Sequence, residues 1–355
     1  MQLDEIRRKI DKLDREMLVL IQERMGLALR SKKFKTAVSD PTREASMMAR
    51  IERLNLDLVE RPFTQRLLKT IIEESKRLQE EERLLVGFQG EHGAYGEIAA
   101  RQLTPGSAHI PCLEFADVFQ GVEEGYLDLG VVPVENSLEG AVTQVNDLLT
   151  ATELKIIGEA KVTVQHCLMA AADTGYREIR QVYSHPQALA QCRGFLARNN
   201  LEARPYYDTA GAAKMLAREN PKASAAIASR LCAELYDLDI IKDQIEDGPA
   251  NSTRFLLLAR EEATEKGQKT SIIFVTRHEA GQLLAVLQCF ADANINLTRI
   301  ASMPLRDDPD NYCFFLDFEG SGKETKIVDV LAKVKVHTAH LKRLGSYPAA
   351  GERVR

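Results

Sequence analysis

The chain has 355 residues, 45% of them hydrophobic and 28% charged, with a formal net charge of −5. That length allows two or three separately cored domains, and that balance is of a soluble globular protein, which excludes fibrous and low-complexity classes. A slightly acidic chain carries no general electrostatic footprint for nucleic acid, although it does not forbid local basic pockets.

Residues 1–82 read as all helix. The charged start, residues 1–8, leads into an amphipathic segment and is no signal peptide, and nowhere does an apolar run reach the length needed to span a bilayer. Leu3, Ile6, Ile10, Leu13, Met17, Leu20 and Leu27 recur at helical spacing and fade near Lys33, which predicts a long first helix. Asp40 and Pro41 suit the N-cap and first position of a second helix. A third starts near Pro62 and runs through Leu67, Leu68, Ile71, Ile72 and Leu78. Helices so unequal make a thin core, so the long stripe is expected to be covered by a second copy in an intertwined homodimer or a higher homo-oligomer.

At Leu84-Leu85-Val86-Gly87-Phe88 the pattern turns to α/β. Strands over 129–134, 156–158 and 181–183 alternate with Ala-rich helices over 188–198 and 210–217. The turn Asp247-Gly248-Pro249 precedes a further strand, and the charged stretch 260–269 reads as a linker. Beyond it come a strand (271–276), a helix (282–293), two strands (297–304 and 312–318), a helix (323–333) and a strand near 341–344. That βαββαβ order predicts a ferredoxin-like unit. The expected fold is therefore multi-domain: all-α over 1–83, α/β with two subdomains over 84–262, and α+β over 270–350. Six scattered cysteines (Cys112, Cys167, Cys192, Cys232, Cys289, Cys313) lack any Cys-x-x-Cys spacing, as expected of reduced, mostly buried thiols in the cytoplasm.

Polar residues interrupt the helical stripes. Arg24 lies seven residues after Met17 and four after Leu20, and Lys35, eleven further on, returns to nearly the same face. Cations on a core-facing stripe are costly unless an anion meets them. Ser75 and Gln79 stand one turn apart beside Ile71, Ile72 and Leu78. Convergent cations with neutral hydrogen-bonding groups suit a small dicarboxylate; snorkelling, or pairing with glutamates of a neighbouring helix, is the bland alternative. The set resembles the all-helical chorismate mutase family. The resemblance makes Arg7, in Ile6-Arg7-Arg8-Lys9-Ile10, the arginine lent to the partner subunit's site. It makes Arg24 the other carboxylate ligand, Lys35 the lysine near the ether oxygen, and Ser75 and Gln79 the third-helix pair. Asp40, Arg43 and Glu44 match a contiguous family motif. The implied chemistry is the pericyclic rearrangement of chorismate to prephenate, with Lys35 and Gln79 set against charge on the ether oxygen and Glu44 at the ring hydroxyl.

Three segments of the second block carry a further resemblance: Val132-Pro133-Val134-Glu135-Asn136-Ser137, Ser184-His185-Pro186-Gln187, and Asn251-Ser252-Thr253-Arg254-Phe255. In this order they are similar to prephenate dehydratase, whose family carries a Thr-Arg-Phe signature with a catalytic threonine. The resemblance implies that Thr253 donates to the departing ring hydroxyl and that Arg254 anchors a carboxylate or orients the site. Asn136, Ser137, Ser184, Gln187 and Gln191 would surround the substrate, the two glutamines one helical turn apart. This chemistry calls for basic pockets but for no metal and no organic cofactor. The Gly-rich turn over 87–96 lacks nucleotide-binding spacing and reads as a generic strand-to-helix turn. His166 and His185 read as structural rather than as bases, and His337 and His340 have no evident partner ligands for a metal.

In the third block Ala280-Gly281-Gln282-Leu283-Leu284 resembles the phenylalanine-binding loop of ACT domains, and Gly281 permits close backbone approach. The second sensor motif, Glu-Ser-Arg-Pro in relatives, reads Ala301-Ser302-Met303-Pro304. Gly281, Gln282, Leu283, Asn296 and Ser302 are thus the effector-site candidates, with phenylalanine as effector. The whole chain resembles the bifunctional chorismate mutase–prephenate dehydratase of phenylalanine biosynthesis, acting on chorismate and prephenate without nucleic-acid or membrane partners. Two rival readings stand beside it: a monofunctional prephenate or arogenate dehydratase whose helical block only dimerises, and a non-catalytic anion-binding protein built on the same cleft.

Overall fold

The computed structural model describes residues 3–35, 37–53, 57–172, 174–248, 251–263, 267–277, 279–304 and 311–350. Two compact units are present, Met1–Leu85 and Val86–Arg355.

In the first unit, α1 (Leu3–Lys32) ends on Arg30 and Lys32, cations that complement the carbonyl end of the helix dipole. α2 (Pro41–Glu52) starts as its sequence predicts. Asp40 Oδ1 accepts the Arg43 backbone N–H at 2.9 Å, and Pro41 occupies the first turn, where a missing N–H does no harm. α3 (Arg61–Glu80) packs on α1. The expected burial of the α1 stripe is not met within one chain. Leu3, Ile6, Ile10, Leu13, Met17, Leu20 and Leu27 are all exposed, and of the described α1 residues only Leu29 is buried. One neighbouring helix cannot cover a stripe this long.

The second unit begins with β1 (Leu85–Gln89), β2 (Ala108–Cys112), β3 (Leu129–Asn136), β4 (Gly140–Ala141) and β5 (Lys155–Val164), interleaved with α4 (Tyr95–Leu103), α5 (Phe115–Glu123) and α6 (Thr143–Ala151). The chain then crosses to a second lobe. Its strands are β6 (Cys167–Ala170), β7 (Gln181–Ser184), β8 (Glu202–Pro205), β9 (Ser224–Ala228) and β10 (Asp239–Lys242), and its helices are α7 (Pro186–Gln191), α8 (Arg193–Arg198), α9 (Thr209–Glu219) and α10 (Arg230–Tyr236). Finally β11 (Asn251–Ala259) returns and inserts between β3 and β5, giving the order β2-β1-β3-β11-β5, while the second sheet runs β10-β6-β9-β7-β8. Val86, Val131, Phe255 and Leu257 share the core of the first lobe; Leu168, Val182, Leu196 and Ile227 share one in the second.

The helix expected over 188–198 is two helices. Cys192, at φ −110° and ψ 15°, leaves the helical region between α7 and α8. The cause is long-range: the Asp247 carboxylate accepts the Gly194 and Phe195 backbone N–H groups and so caps α8 from across the lobe.

The last segment forms β12 (Lys269–Arg277), α11 (Gln282–Asp292), β13 (Leu297–Pro304), β14 (Asn311–Glu319), α12 (Thr325–Val336) and β15 (His340–Tyr347). The antiparallel order β13-β14-β12-β15 is the βαββαβ arrangement expected from the sequence. Phe274, Phe290, Leu316, Phe318, Ile327 and Val334 fill its core. The charged stretch before it is tied down at both ends: Arg260 Nη1 donates to Val122 O at 2.7 Å and Leu127 O at 3.0 Å, Arg343 pairs with Glu262 at 2.5 Å, and Lys269 meets Glu159 at 3.0 Å. Residues 264–266 of that linker, and Pro249 of the earlier turn, lie outside the described residues.

Candidate functional site

Two groupings of polar side chains stand out, one in each unit. In the helical unit Arg24 Nη1 donates to Ser75 Oγ and to Ile71 O (3.4 Å), and burial lowers the Arg24 pKa. Gln79 Nε2 donates to Ala28 O at 2.6 Å and to Ser31 Oγ at 3.3 Å; its Oε1 is buried without a partner among the described residues. Arg24, Ser75 and Gln79 therefore come together between α1 and α3, as helical spacing predicts. Glu44 is held by Lys76 Nζ at 2.7 Å, which keeps its carboxyl below the ordinary range, and by Ser39. Lys76 was not anticipated, although its place beside Ser75 on α3 is the signal that could have found it. Arg7 is exposed on α1, and Arg43 is exposed in the first turn of α2. Lys35 requires a correction. α1 ends at Lys32 and tightens into a turn in which Lys35 N donates to Lys32 O, so Lys35 is exposed and the α-helical argument for its face does not apply.

In the second unit a cleft of about 500 Å³ opens between the two lobes. Strands of the first sheet present Asn136, Asn251, Thr253 and Phe255 to it, and the second lobe presents His185, Gln187, Gln191, Tyr207 and Asp208. Five helices (α4, α5, α6, α7 and α9) place first-turn residues in its lining, among them Gly96, Phe115, Gln144, Ala188 and Thr209. Helix N-termini turn unpaired N–H groups and positive dipole ends toward the space before them. The basic pocket expected from the sequence is not found here: among the described residues lining the cleft there is no Lys or Arg. The polar groups the lining offers are amides, hydroxyls, imidazoles and helix N-termini, beside the carboxylates of Glu114, Glu139 and Asp208.

The register of β3 and β11 decides which side chains face the cleft. Thr253 pairs with Asn136 and Arg254 with Glu135, but Phe255 pairs with Pro133, so Val134 is an extra residue on β3. This bulge falls next to Pro133, which has no N–H to give a ladder. It shifts the alternation of β3, and Asn136 joins Val131 and Pro133 on the cleft side. Asn136 Nδ2 then donates to Thr253 Oγ1 at 2.9 Å and to Asn251 Oδ1 at 2.7 Å, while its Oδ1 accepts the Leu138 and Glu139 N–H groups. Asn136 is thus fully engaged as a strut. Because Thr253 Oγ1 already accepts a bond, its own hydrogen is left to be donated.

The network continues into the second lobe. Gln191 Oε1 accepts from Asn251 Nδ2 (3.2 Å) and from His166 Nε2 (2.8 Å), leaving Gln191 Nε2 to donate to a ligand. Burial lowers the His166 pKa and the bond to Gln191 opposes that shift, while Nδ1 lies 3.3 Å from the Tyr95 hydroxyl. His185 Nδ1 accepts the Gln187 N–H at 3.3 Å, which puts its proton on Nε2. Both histidines, read from sequence as structural, line the cleft. Asp208 caps α9 through Gly211 N at 2.8 Å, and burial raises its carboxyl above the ordinary range. Asn251 was also overlooked; it stands two residues before Thr253, and strand periodicity alone puts it on the same face.

Three expected cleft residues are elsewhere. Of the two roles expected for Arg254, carboxylate anchor or orienting group, its position is at odds with the first and leaves the second open. It alternates away from Thr253 and is buried against acids: Nε meets Glu159 at 2.6 Å, Nη1 meets Asp317 at 2.5 Å, and Nη2 donates to Tyr347 OH at 3.0 Å. Ser184 is fully buried and donates to Ile227 O at 2.6 Å, joining β7 to β9. Ser137 is exposed, and its Oγ accepts the Ser252 N–H at 2.9 Å, which fixes the start of β11. Among the effector candidates, Gly281 is left-handed (φ +87°) at the cap of α11, with Gln282 and Leu283 in the first turn. Asn296 donates to Glu319 at 2.9 Å, and Ser302 pairs with Phe314 between β13 and β14.

Comparison with known proteins follows the same division. Residues 86–263 match the family model of prephenate dehydratase, and residues 6–80 match that of chorismate mutase type II. The chain is 37% identical over 359 residues to a bifunctional chorismate mutase/prephenate dehydratase of Aquifex aeolicus, with 98% of each chain covered. It is 38% identical over 363 residues to the protein of the same description from Pseudomonas aeruginosa, again with 98% of each covered. Among solved structures it resembles the prephenate dehydratase of Arthrobacter aurescens in complex with L-Phe (TM-score 0.68, 31% identity, 75% of this chain and 90% of that chain covered).

Proposed function

The chain belongs to the prephenate dehydratase family and carries a type II chorismate mutase domain ahead of it; on that premise we propose that one polypeptide catalyses two consecutive reactions. Chorismate rearranges to prephenate, and prephenate loses water and carbon dioxide to give phenylpyruvate, a route to phenylalanine.

The first step breaks an ether C–O bond as a C–C bond forms, so it needs no nucleophile and no general base. Arg24 has Nη1 committed to Ser75 and Ile71, which leaves Nε and Nη2 for a substrate carboxylate. Gln79 keeps its strong bond to Ala28 and gives up the longer one to Ser31 in order to donate to the ether oxygen. Lys76 holds Glu44 ionised for the ring hydroxyl. Groups held in place before the substrate arrives lower the barrier by restricting it to the reactive conformer and by meeting charge as it develops.

In the second step the electron pair of the ring–carboxylate bond flows into the ring as carbon dioxide leaves, and the ring C–O bond breaks. Aromatisation drives the reaction. Thr253 donates a hydrogen bond that strengthens as the departing oxygen takes up charge, and a solvent proton completes the water molecule. Gln191, Gln187, His185 and the helix N-termini bind the two carboxylates. The observation that carries this reading is the Asn136–Thr253 bond, which fixes the hydroxyl oxygen and leaves its hydrogen to face the cleft. The test is to follow chorismate with the purified protein. Phenylpyruvate should form by way of prephenate, Thr253→Ala should halt at prephenate, and Arg24→Ala should spare chorismate while still consuming added prephenate.

Two finer statements belong to the same proposal. The mutase half works as an intertwined homodimer: the exposed α1 stripe needs a cover, and Arg7 lies about 100° around the helix from Arg24, positioned to serve the partner subunit's site. The C-terminal βαββαβ unit acts as an ACT-type sensor that binds phenylalanine at Gly281, Gln282, Leu283, Asn296 and Ser302. Its strand order and the left-handed Gly281 support this, as does the L-Phe complex of the Arthrobacter aurescens relative.

A further inference from the structure

Behind the Asn136–Thr253 pair, on the face of β3 and β11 turned from the cleft, lies a second cross-strand pair, Glu135 and Arg254. Both are gripped by the C-terminal unit. Arg254 meets Asp317 of β14, and its Nη2 donates to Tyr347 OH of β15. Tyr347 OH stands 2.5 Å from Ser271 Oγ, which itself donates to Asp317. Glu135 Oε2 accepts from Arg299 Nε of β13 at 2.7 Å, and the Arg299 guanidinium lies 4.3 Å over the Phe315 ring. Arg299 reaches the β3 bulge by another path as well. Its Nη2 contacts Asn146 Oδ1 at 3.5 Å, and Asn146 Nδ2 donates to Val134 O at 3.3 Å. The charges balance, with Arg254, Lys269 and Arg299 set against Glu135, Glu159 and Asp317.

The bulge weakens the ladder next to the catalytic pair, since Val134 has no partner on β11 and Pro133 no N–H to offer. Asn136 is held on the cleft side by its own amide bonds, and the grip on Glu135 from the C-terminal unit is a second restraint on the same stretch of β3. We propose that Arg299 is a positioning residue for the dehydration, acting through Glu135 and the bulged backbone on the Asn136–Thr253 pair. The C-terminal unit is then part of the dehydratase machinery, with or without any effector. This inference rests on the reading of Thr253 as the donor to the departing hydroxyl.

Full-length Arg299→Met tests it, because methionine keeps most of the packing volume and an apolar contact to Phe315 while removing the grip on Glu135 and Asn146. The variant should show the parent's circular dichroism and chorismate consumption, a kcat for prephenate lowered about tenfold or more, and a KM within about threefold of the parent. In an Asn136→Ala background the same substitution should cost less than about twofold, because the strut through which it acts is already gone. Arg299→Lys should recover most of the loss. A folded Arg299→Met with the parent's kcat, or losses that multiply in full with Asn136→Ala, would overturn the inference while Thr253→Ala still abolished turnover. If Thr253→Ala itself kept the parent's kcat, the underlying catalytic reading would fall instead. Should Arg299→Met not fold, Glu135→Gln carries the same readouts with the same expectations.

Discussion

Asn136 and Thr253 face each other across β3 and β11, and the Asn136 amide donates to the Thr253 hydroxyl oxygen at 2.9 Å. The donor is itself fixed by Asn251 and by two backbone N–H groups, so the threonine is oriented without using its own hydrogen.

Removing that hydrogen should cost turnover more than binding. Thr253→Ala is expected to lower the kcat for prephenate by about 10²–10³, the range for a lost hydrogen-bond donor to developing charge, with a much smaller change in KM. Thr253→Ser keeps the hydroxyl and should stay within about tenfold of the parent. Steady-state formation of phenylpyruvate measures both. Equal kcat for the alanine variant and the parent would exclude Thr253 as the donor.

The mutase site is expected to respond separately. Arg24→Ala removes the proposed carboxylate ligand and the donor to Ser75 Oγ, so kcat/KM for chorismate should drop by about 10²–10³. Prephenate turnover in the same preparation should not move. Chorismate disappearance followed by absorbance decides the point, and a loss in both reactions would instead indicate general unfolding.

Acid sensitivity should trace to Glu97, which is 1% exposed at the head of α4. Burial alone would raise its pKa, but bonds from His92, Gly93 N and Arg101 prevail and bring it from 4.5 to about 2. A depressed carboxyl stabilises the fold fully above the unfolded value, and the contribution fades as pH falls from 4.5 toward about 2. Glu97→Gln should therefore cost about 2–3 kcal/mol near neutral pH and progressively less below pH about 4.5. Urea unfolding at a series of pH values checks this; a penalty that grew on acidification would contradict the sign.

Oligomer formation is expected to depend on the α1 stripe. Each large apolar side chain removed from water contributes about 1.5–3 kcal/mol, and Leu13 and Met17 are 58% and 54% exposed in the single chain. Leu13→Glu with Met17→Glu should reduce the sedimenting mass to that of a smaller assembly and lower mutase activity together. An unchanged mass would place the interface elsewhere.

Phenylalanine is expected to bind the C-terminal unit through Gly281 and its neighbours. A bulky residue at a φ of +87° is strained, so Gly281→Val should weaken the heat of phenylalanine binding in calorimetric titration by about tenfold or more. No heat from the parent protein would remove the sensor from the proposal.

Much of this protein was legible in the sequence because helix period, caps and strand alternation are local. The start of α2 at Asp40 and Pro41, the shared face of Ser75 and Gln79 that meets α1, and the order of elements in the C-terminal unit all follow from spacing over a few residues. What local spacing could not decide was register between distant strands. A single extra residue at Val134 turned Asn136 into the cleft and Glu135 out of it. The same alternation carried Arg254 from its expected place beside the substrate to a buried set of acids more than sixty residues further along the chain, at Asp317. The division of α7 from α8 by Asp247 is of the same kind, a cap supplied from 52 residues away. A strand slipped by one residue exchanges its two faces, and only the partners it meets in the folded molecule determine which exchange occurs.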